Sequence, residues 1–438
     1  MTKKLIPFIL LVLSACESTS LLEDFEGRVF SAGESVVLVS EMDYPKEVDY
    51  PVVPPDHPAL EVMRKRVGQI AWIKWTPVHD IAGLSGTLKA GETRSGIPYS
   101  SVKEKDKFVG LEVSFRSFMT AVHNPRSVLY TEDVKQPPYN GTNCGPYYGT
   151  VCSMTVNYAL GIDRPYQTNM YDDIPYIAKV KKQDPEGICP GDILLSDGHV
   201  VLVVDVYKEE GTISGFRILE SLGGTGTKKL SYDEFKERWK KDGWSVYRNL
   251  RLAENLDYSP IPYVYNDGDP ISEPTYNEDI CTSRGDYVSY TESEPVTLNV
   301  FNKDYDTIEL LRDDMVVFSF PNDKEDLTVE NLPAGSYEAR LVSGTACSQS
   351  TFFEVIDTHV EVARQGHSFI VSFNSSNADP LYLVVCSKSG GRDLVADLSR
   401  EDVILGKVAL RGHVAGKYLK VFYQGSYGRV SNLPILLR

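Results

Sequence analysis

Gly149-Thr-Val-Cys-Ser-Met-Thr-Val-Asn-Tyr-Ala-Leu-Gly161 is the stretch on which the reading of this chain turns. Thr150 suits a helix N-cap and Gly161 a helix stop. Between them Cys152, Val156, Ala159 and Leu160 recur at helical spacing on one face. The pattern predicts a short helix with Cys152 in its first turn, facing inward. A helix presents partial positive charge at that end, which favours a thiolate and lowers a thiol's pKa.

A nucleophilic thiol needs a base within reach. Downstream, Pro190-Gly-Asp-Ile-Leu-Leu-Ser-Asp-Gly-His-Val-Val-Leu-Val-Val204 sets His199 at the mouth of an apolar strand, directly after a turn at Asp197-Gly198. The next predicted strand, Phe216-Arg-Ile-Leu-Glu-Ser221, puts Glu220 on the face of Phe216 and Ile218, where it could orient an imidazole. The plainer alternatives are a surface histidine and a solvated glutamate, each at a strand end. Cys144 precedes Gly-Pro and Cys189 precedes Pro, so neither opens a helix. These two thiols could bridge to each other, and a bridge from either to Cys152 would remove the nucleophile. His123, before Asn-Pro at a predicted helix end, is the other candidate base. No Cys and His spacing makes a zinc site and no Gly-rich phosphate loop is present, so neither metal nor cofactor is expected.

Cys152-Ser153 with Val156 and Tyr158, then Gly191-Asp192 through Gly198-His199-Val200, resembles the nucleophile and histidine motifs of the NlpC/P60 cell-wall peptidases, a papain-like family. Gly96-Ile-Pro-Tyr99 is similar to that family's upstream element, whose tyrosine lies beside the cysteine. The likeness covers roughly residues 94 to 225. It implies a papain-like α+β domain and a hydrolase of amide bonds in peptidoglycan stem peptides, of the D-glutamyl–diamino acid type. It also implies substrate-binding roles for Tyr99 and Ser153. The chain departs from the pattern: Val151 stands where the family has Asp, Met154 where it has Gly, and Glu220 where it usually has His. Val151 and Met154 favour the alternative of an inactive envelope protein that binds wall glycan or a protein partner.

At the chain's start, Lys3 and Lys4 precede an apolar run from Leu5 to Leu13 and the small residues Ser14 and Ala15. This reads as a secretory signal, since a spanning helix needs about 20 apolar residues. Leu13-Ser14-Ala15-Cys16 resembles the bacterial lipoprotein box, which implies a diacylglycerol on Cys16 and an envelope protein held at a membrane. No Asp follows that cysteine, so the outer membrane is the expected one. The net charge of −16 becomes −18 without the two leader lysines, and nucleic acid is not an expected partner because phosphate binding rests on Lys and Arg clusters. Of the remaining six cysteines, Cys281 and Cys347 share a strand-rich stretch and are the preferred disulfide.

The expected organisation is a signal peptide at 1–15, a tether at 16–57 with one strand near Val36–Val39, a papain-like unit at 58–254, and a Pro- and acid-rich linker at 255–279. Short alternating stretches with turn signals then predict two Ig-like β sandwiches, at 280–357 and 358–438. Within the papain-like unit, Leu60, Met63, Val67, Ile70 and Ala71 mark a helix, with further helices near 114–122 and 232–241. The expected class is thus α+β followed by two all-β sandwiches.

Overall fold

The computed structural model describes residues 27–32, 37–39, 43–83, 86–100, 108–127, 148–255, 276–387 and 392–438. The signal segment, Cys16, Cys144 and most of the linker lie outside the described residues.

Val, Ile and Leu crowd the stretches after Asp192, and branched side chains there favour a pleated surface over a helix. They build a seven-stranded sheet in the order Thr225–Ser231, Thr212–Ser221, His199–Glu209, Ile193–Ser196, Ser245–Asn249, Ile177–Val180, Glu47–Val48. All neighbours are antiparallel except the last pair. Both faces of the sheet are covered, which is why Val200–Val204 is an unbroken apolar run. Val200, Leu202 and Val204 pack under the Pro58–Trp72 and Cys152–Ala159 helices. Val201 and Val203 face Phe216, Phe235 and Trp244, on the side of the Tyr232–Asp242 helix. That helix is bounded as its residues require: Ser231 and Glu234 form a capping box, and Gly243 ends it.

The expected α+β class is corrected by this structure. The chain is mostly β, with 45% of the described residues in strands and 18% in helices, and no papain-like α+β domain is indicated. Helical periodicity in 58–254 yields short helices laid on a sheet, because β-branched alternation occupies most of the remaining sequence.

The Ig-like expectation holds for the rest. In the first sandwich, the sheet Ile280–Thr282, Val296–Val300, Asp326–Val329 faces the sheet Val288–Thr291, Thr351–Ile356, Gly335–Ser343, Thr307–Arg312, Met315–Pro321 around Leu298, Leu310, Tyr337 and Phe353. In the second, the Lys407–Gly412 and Arg392–Asp397 strands each gain a parallel neighbour from far upstream, Val29–Ala32 and Val37–Val39. The stretch read as a tether with one strand thus supplies two strands to the last sandwich, and Phe30 and Ala32 lie in its core.

The core of the 58–254 unit is continuous with that of the second sandwich, whereas the first sandwich keeps a core of its own. Tyr382, Val384, Val395 and Phe422 of the second sandwich belong to the same apolar cluster as the Pro58–Trp72 and Cys152–Ala159 helices. Arg164 seals that contact, with Nε 2.6 Å from Asp397 and its guanidinium over the Tyr382 ring. The first sandwich docks on the Phe115–His123 helix, where Asn124 donates to the Thr282 carbonyl and to Asn299.

The Cys281–Cys347 disulfide is not formed. Cys281 is buried in the three-stranded sheet and Cys347 is exposed beside the Gly335–Ser343 strand of the other, so their side chains serve different layers.

Candidate active site

The Cys152–Ala159 helix starts one residue later than its cap was expected. Val151, extended at φ −118° and ψ 169°, is the N-cap, and it supplies no capping side chain. The amides of Ser153 and Met154 therefore lack the usual capping acceptor, and that of Cys152, the first helical residue, has no intrahelical partner. Upstream, Thr150 is locked to the 98–100 segment by Thr150 N–H to Pro98 O and Ser100 N–H to Thr150 O, both 3.0 Å. Gly149 permits this approach, because a Cβ there would come within 2.5 Å of Ser100 Cβ. Gly161 ends the helix as predicted.

The same lock carries Tyr99 to the thiol. Tyr99 bridges to Thr150, and burial followed by the nearby Cys152 charge pushes its hydroxyl pKa up. Ser153, by contrast, is only 3% exposed, and its carbonyl accepts from the Tyr171 hydroxyl at 3.2 Å, so its side chain is packed inside rather than offered to a substrate.

His199 opens its strand as read from the sequence. The hairpin from Ser196 to His199 turns through Asp197 and Gly198, the latter at φ +73°, a conformation that costs glycine little. The His199 ring lies beside the Cys152 thiol, where each shifts the other's protonation, and Nε2 stands 3.6 Å from Glu220 Oε2, an ion-pair distance. The cross-strand register pairs Leu202 with Leu219 and Val203 with Ile218, which brings His199 and Glu220 to one face as diagonal neighbours. The candidates Cys152, His199, Glu220 and Tyr99 thus converge from four separate segments.

The electrostatics follow from these contacts. Burial alone would raise the Cys152 thiol. Hydrogen bonds from His199, Thr168 and the Val200 backbone outweigh it and hold the pKa below the ordinary thiol value, with Thr168 Oγ1 3.6 Å from Sγ. His199 is pushed up to about 9 by its hydrogen bond to Cys152 and then by Glu220, against its own burial. Glu220 is 3% exposed, yet it stays well below the carboxylate range because His199, Arg238 and Lys228 outweigh its desolvation. Arg238 Nη2 lies 2.5 Å from Oε2 and Nη1 3.3 Å from Oε1, and Lys228 pairs with Oε1. A lowered thiol beside a raised imidazole shifts the pair toward thiolate and imidazolium.

Sequence reasoning missed Thr168, Lys228 and Arg238. Lys228 and Arg238 sit among neighbouring charges, and no spacing ties them to Glu220. An open cleft of about 670 Å³ adjoins the imidazole, lined among others by His199, Leu222, Lys228, Arg238 and Lys241.

The rival groups lie elsewhere. Cys189 is half-buried, with its thiol pushed up by burial and by Asp192. His123 stacks on Tyr276 at 3.6 Å between ring centroids, at the foot of the first sandwich. Among the described residues no group of three or more His, Cys, Asp or Glu is placed to hold a metal ion, and no helix is long and apolar enough to cross a membrane.

No family model and no curated protein matches this chain. Among solved structures it is similar to fibronectin(III)-like modules of Clostridium thermocellum CbhA, at 10% identity over 34% of this chain and 88% of that one, with a TM-score of 0.17. It is also similar to native alpha-2-macroglobulin from Escherichia coli spanning domains NIE-MG1, at 12% identity over 35% of this chain and 95% of that one, with a TM-score of 0.16. At such scores the description of the fold rests on the sheets themselves.

Proposed function

We propose that this chain is an envelope-anchored thiol hydrolase that cleaves amide bonds in the peptide stems of peptidoglycan. The observation that carries the reading is the continuous line of contacts from the Cys152 thiol through the His199 ring to the Glu220 carboxylate.

Elementary chemistry then orders the steps. The Cys152 thiolate attacks the amide carbonyl carbon, and the resulting oxyanion is met by the uncapped amide at the helix start, with the Tyr99 hydroxyl beside it; such donors contribute a few kcal/mol in comparable sites. As the C–N bond breaks, His199 gives its proton to the leaving amine. It then takes a proton from the water that hydrolyses the thioester, and the thiolate returns. Glu220 holds the ring's far nitrogen and stabilises the imidazolium without itself accepting the proton. The 3.6 Å separation from Nε2 is an ion-pair distance, and catalytic hydrogen bonds are often this long before substrate binds.

The choice of a wall substrate rests on the motif likeness to NlpC/P60 peptidases and on the lipoprotein box at Cys16. Cys16 and Val29, the first residue of the last sandwich, are thirteen positions apart, a span of at most about 45 Å. A lipid on Cys16 therefore keeps that sandwich, and the site packed against it, close to the membrane and to the wall.

The experiment is digestion of purified muropeptides by the wild type and by Cys152→Ala, with products read by mass spectrometry. New products from the wild type alone support the hydrolase. Identical profiles overturn it in favour of a binding protein, the role to which Val151 and Met154 in the nucleophile motif would then point.

A further inference from the structure

The two edges of the first sandwich's larger sheet are treated in opposite ways. At one edge, Val288–Thr291 is covered: Ser117 donates to the Tyr287 carbonyl at 2.6 Å, and Arg116 lies over the Tyr287 ring at 3.6 Å. At the other edge, Met315–Pro321 ends the sheet, paired only to Thr307–Arg312 among the described residues. Four consecutive large apolar side chains on it face solvent: Met315 at 67%, Val316 at 48%, Val317 at 38% and Phe318 at 39%. Sheet proteins ordinarily blunt such an edge with charge, proline or a covering loop, because its free amides and carbonyls are a template for another strand. Exposed contiguous apolar surface on a soluble domain marks a contact site.

Charge at the two ends selects the occupant. Asp313 and Asp314 precede the strand, and Asp323 and Glu325 follow it, with Asp313 79% and Glu325 81% exposed. Arg312 stands 3.9 Å from Asp313. At the other end Arg126 meets Glu325 at 3.6 Å and Asp326 at 3.2 Å, Lys303 donates to Asn322 at 3.0 Å and Lys324 lies within the cluster. Asp304 and Asp306 of the adjoining 302–306 loop add to Asp323, Glu325 and Asp326, so acid is partly offset yet outnumbers base at both ends. A second copy of this chain is a poor fit. Antiparallel pairing sets Asp313 and Asp314 against the copy's Asp323 and Glu325, parallel pairing sets each acidic end against its own kind, and like charges across strands destabilise. The register shift between Leu310 and Leu311 leaves Val317 as a bulge and Pro321 closes the strand, so the edge suits a short segment rather than an extending fibril.

We propose that the Met315–Pro321 edge takes up, as an added strand, a short extended segment of another protein whose alternating apolar residues are flanked by lysine or arginine. The proposal stands apart from the thiol chemistry.

The test measures fluorescence anisotropy of the purified chain with two labelled peptides, Lys-Lys-Val-Thr-Val-Thr-Val-Lys-Lys and its counterpart with Glu for every Lys. The basic peptide is expected to bind at least roughly tenfold more tightly, with the preference abolished or inverted in the double variant Asp314→Lys, Asp323→Lys. Val316→Lys, checked for folding by circular dichroism, should lose the basic peptide. Equal or absent binding of both peptides, or undiminished binding by folded Val316→Lys, overturns the proposal. So does sedimentation showing a dimer that Val316→Lys splits, which would assign the edge to a second copy. Should Val316→Lys not fold, the charge-reversal pair decides alone.

Discussion

Arg238 grips Glu220 with two prongs, Nη2 at 2.5 Å from Oε2 and Nη1 at 3.3 Å from Oε1, and is itself braced by Asp242 at 3.0 Å and by the Trp244 ring at 5.1 Å. A helix on one face of the sheet thereby sets the carboxylate that faces His199. Arg238 is a positioning residue, and its removal should act through the imidazole. Arg238→Met is expected to lower kcat/KM by roughly tenfold and to move the alkaline limb of the pH–rate profile upward, because the imidazolium loses a neighbouring cation. Arg238→Lys should restore part of the rate. A profile with unmoved limbs would show that Arg238 matters for folding alone.

His199 titration supplies a direct check on the pairing. Its pKa of about 9 is owed first to the Cys152 thiol, so in Cys152→Ala the imidazole should titrate measurably lower, followed by NMR of the ring protons. An unchanged value would place the thiol outside the ring's reach. Stability follows with a definite sign. The folded pKa lies above the ordinary 6.5, so the His199 contribution is complete below about pH 6.5 and is lost as pH rises through about 9. Glu220, depressed, contributes above the ordinary carboxylate range and loses that contribution as pH falls through and below it.

Thiol reactivity should separate the cysteines. At neutral pH iodoacetamide is expected to modify Cys152 fastest, ahead of exposed Cys347, with Cys189 and Cys281 slow because burial pushes both of those thiols up. His199→Ala should remove the advantage. Mass mapping of the alkylated peptides reads the order, and a Cys152 no faster than Cys347 would falsify the thiolate assignment.

Asp192, from the Gly191-Asp192 element of the histidine motif, has a structural task. Its carboxylate meets Arg248 at 2.7 Å with both side chains 3% exposed, and Arg248 also holds the Tyr50 and Gly187 carbonyls. Asp192→Ala strands a buried guanidinium and should cost about 3–5 kcal/mol in urea denaturation. A loss below about 1 kcal/mol would mean that solvent reaches the pair.

The upstream strands make the last sandwich dependent on sequence far from it. Phe30 is 3% exposed in that core, so Phe30→Ala should cost about 3–5 kcal/mol and expose the Lys407–Gly412 strand to amide exchange. Protection of that strand equal to wild type would refute the dependence.

Local chemistry was legible residue by residue. The stop at Gly161, the turn before His199, the parity of Glu220 with Phe216 and Ile218, and the helix marked by Leu60, Met63 and Val67 all depend on neighbours a few positions away. The class assignment was not legible, because a motif seen in one family names residues and does not weigh strands against helices across the whole chain. The tether reading missed for a related cause: Val29–Ala32 is too short to announce a partner, and that partner, Lys407–Gly412, lies nearly the whole chain away.

Periodicity and capping act within a few residues, so the chain's own order determined where Cys152 sits on its helix and where His199 begins its strand. Only the tertiary structure decided what surrounds them. Arg238 and Lys228 reach Glu220, the first strands close the last sandwich, and Cys281 and Cys347 stay apart, through contacts between segments that no local pattern links. Such contacts arise when apolar faces pack together, and the charges carried on those faces then meet partners that burial, rather than spacing, selects.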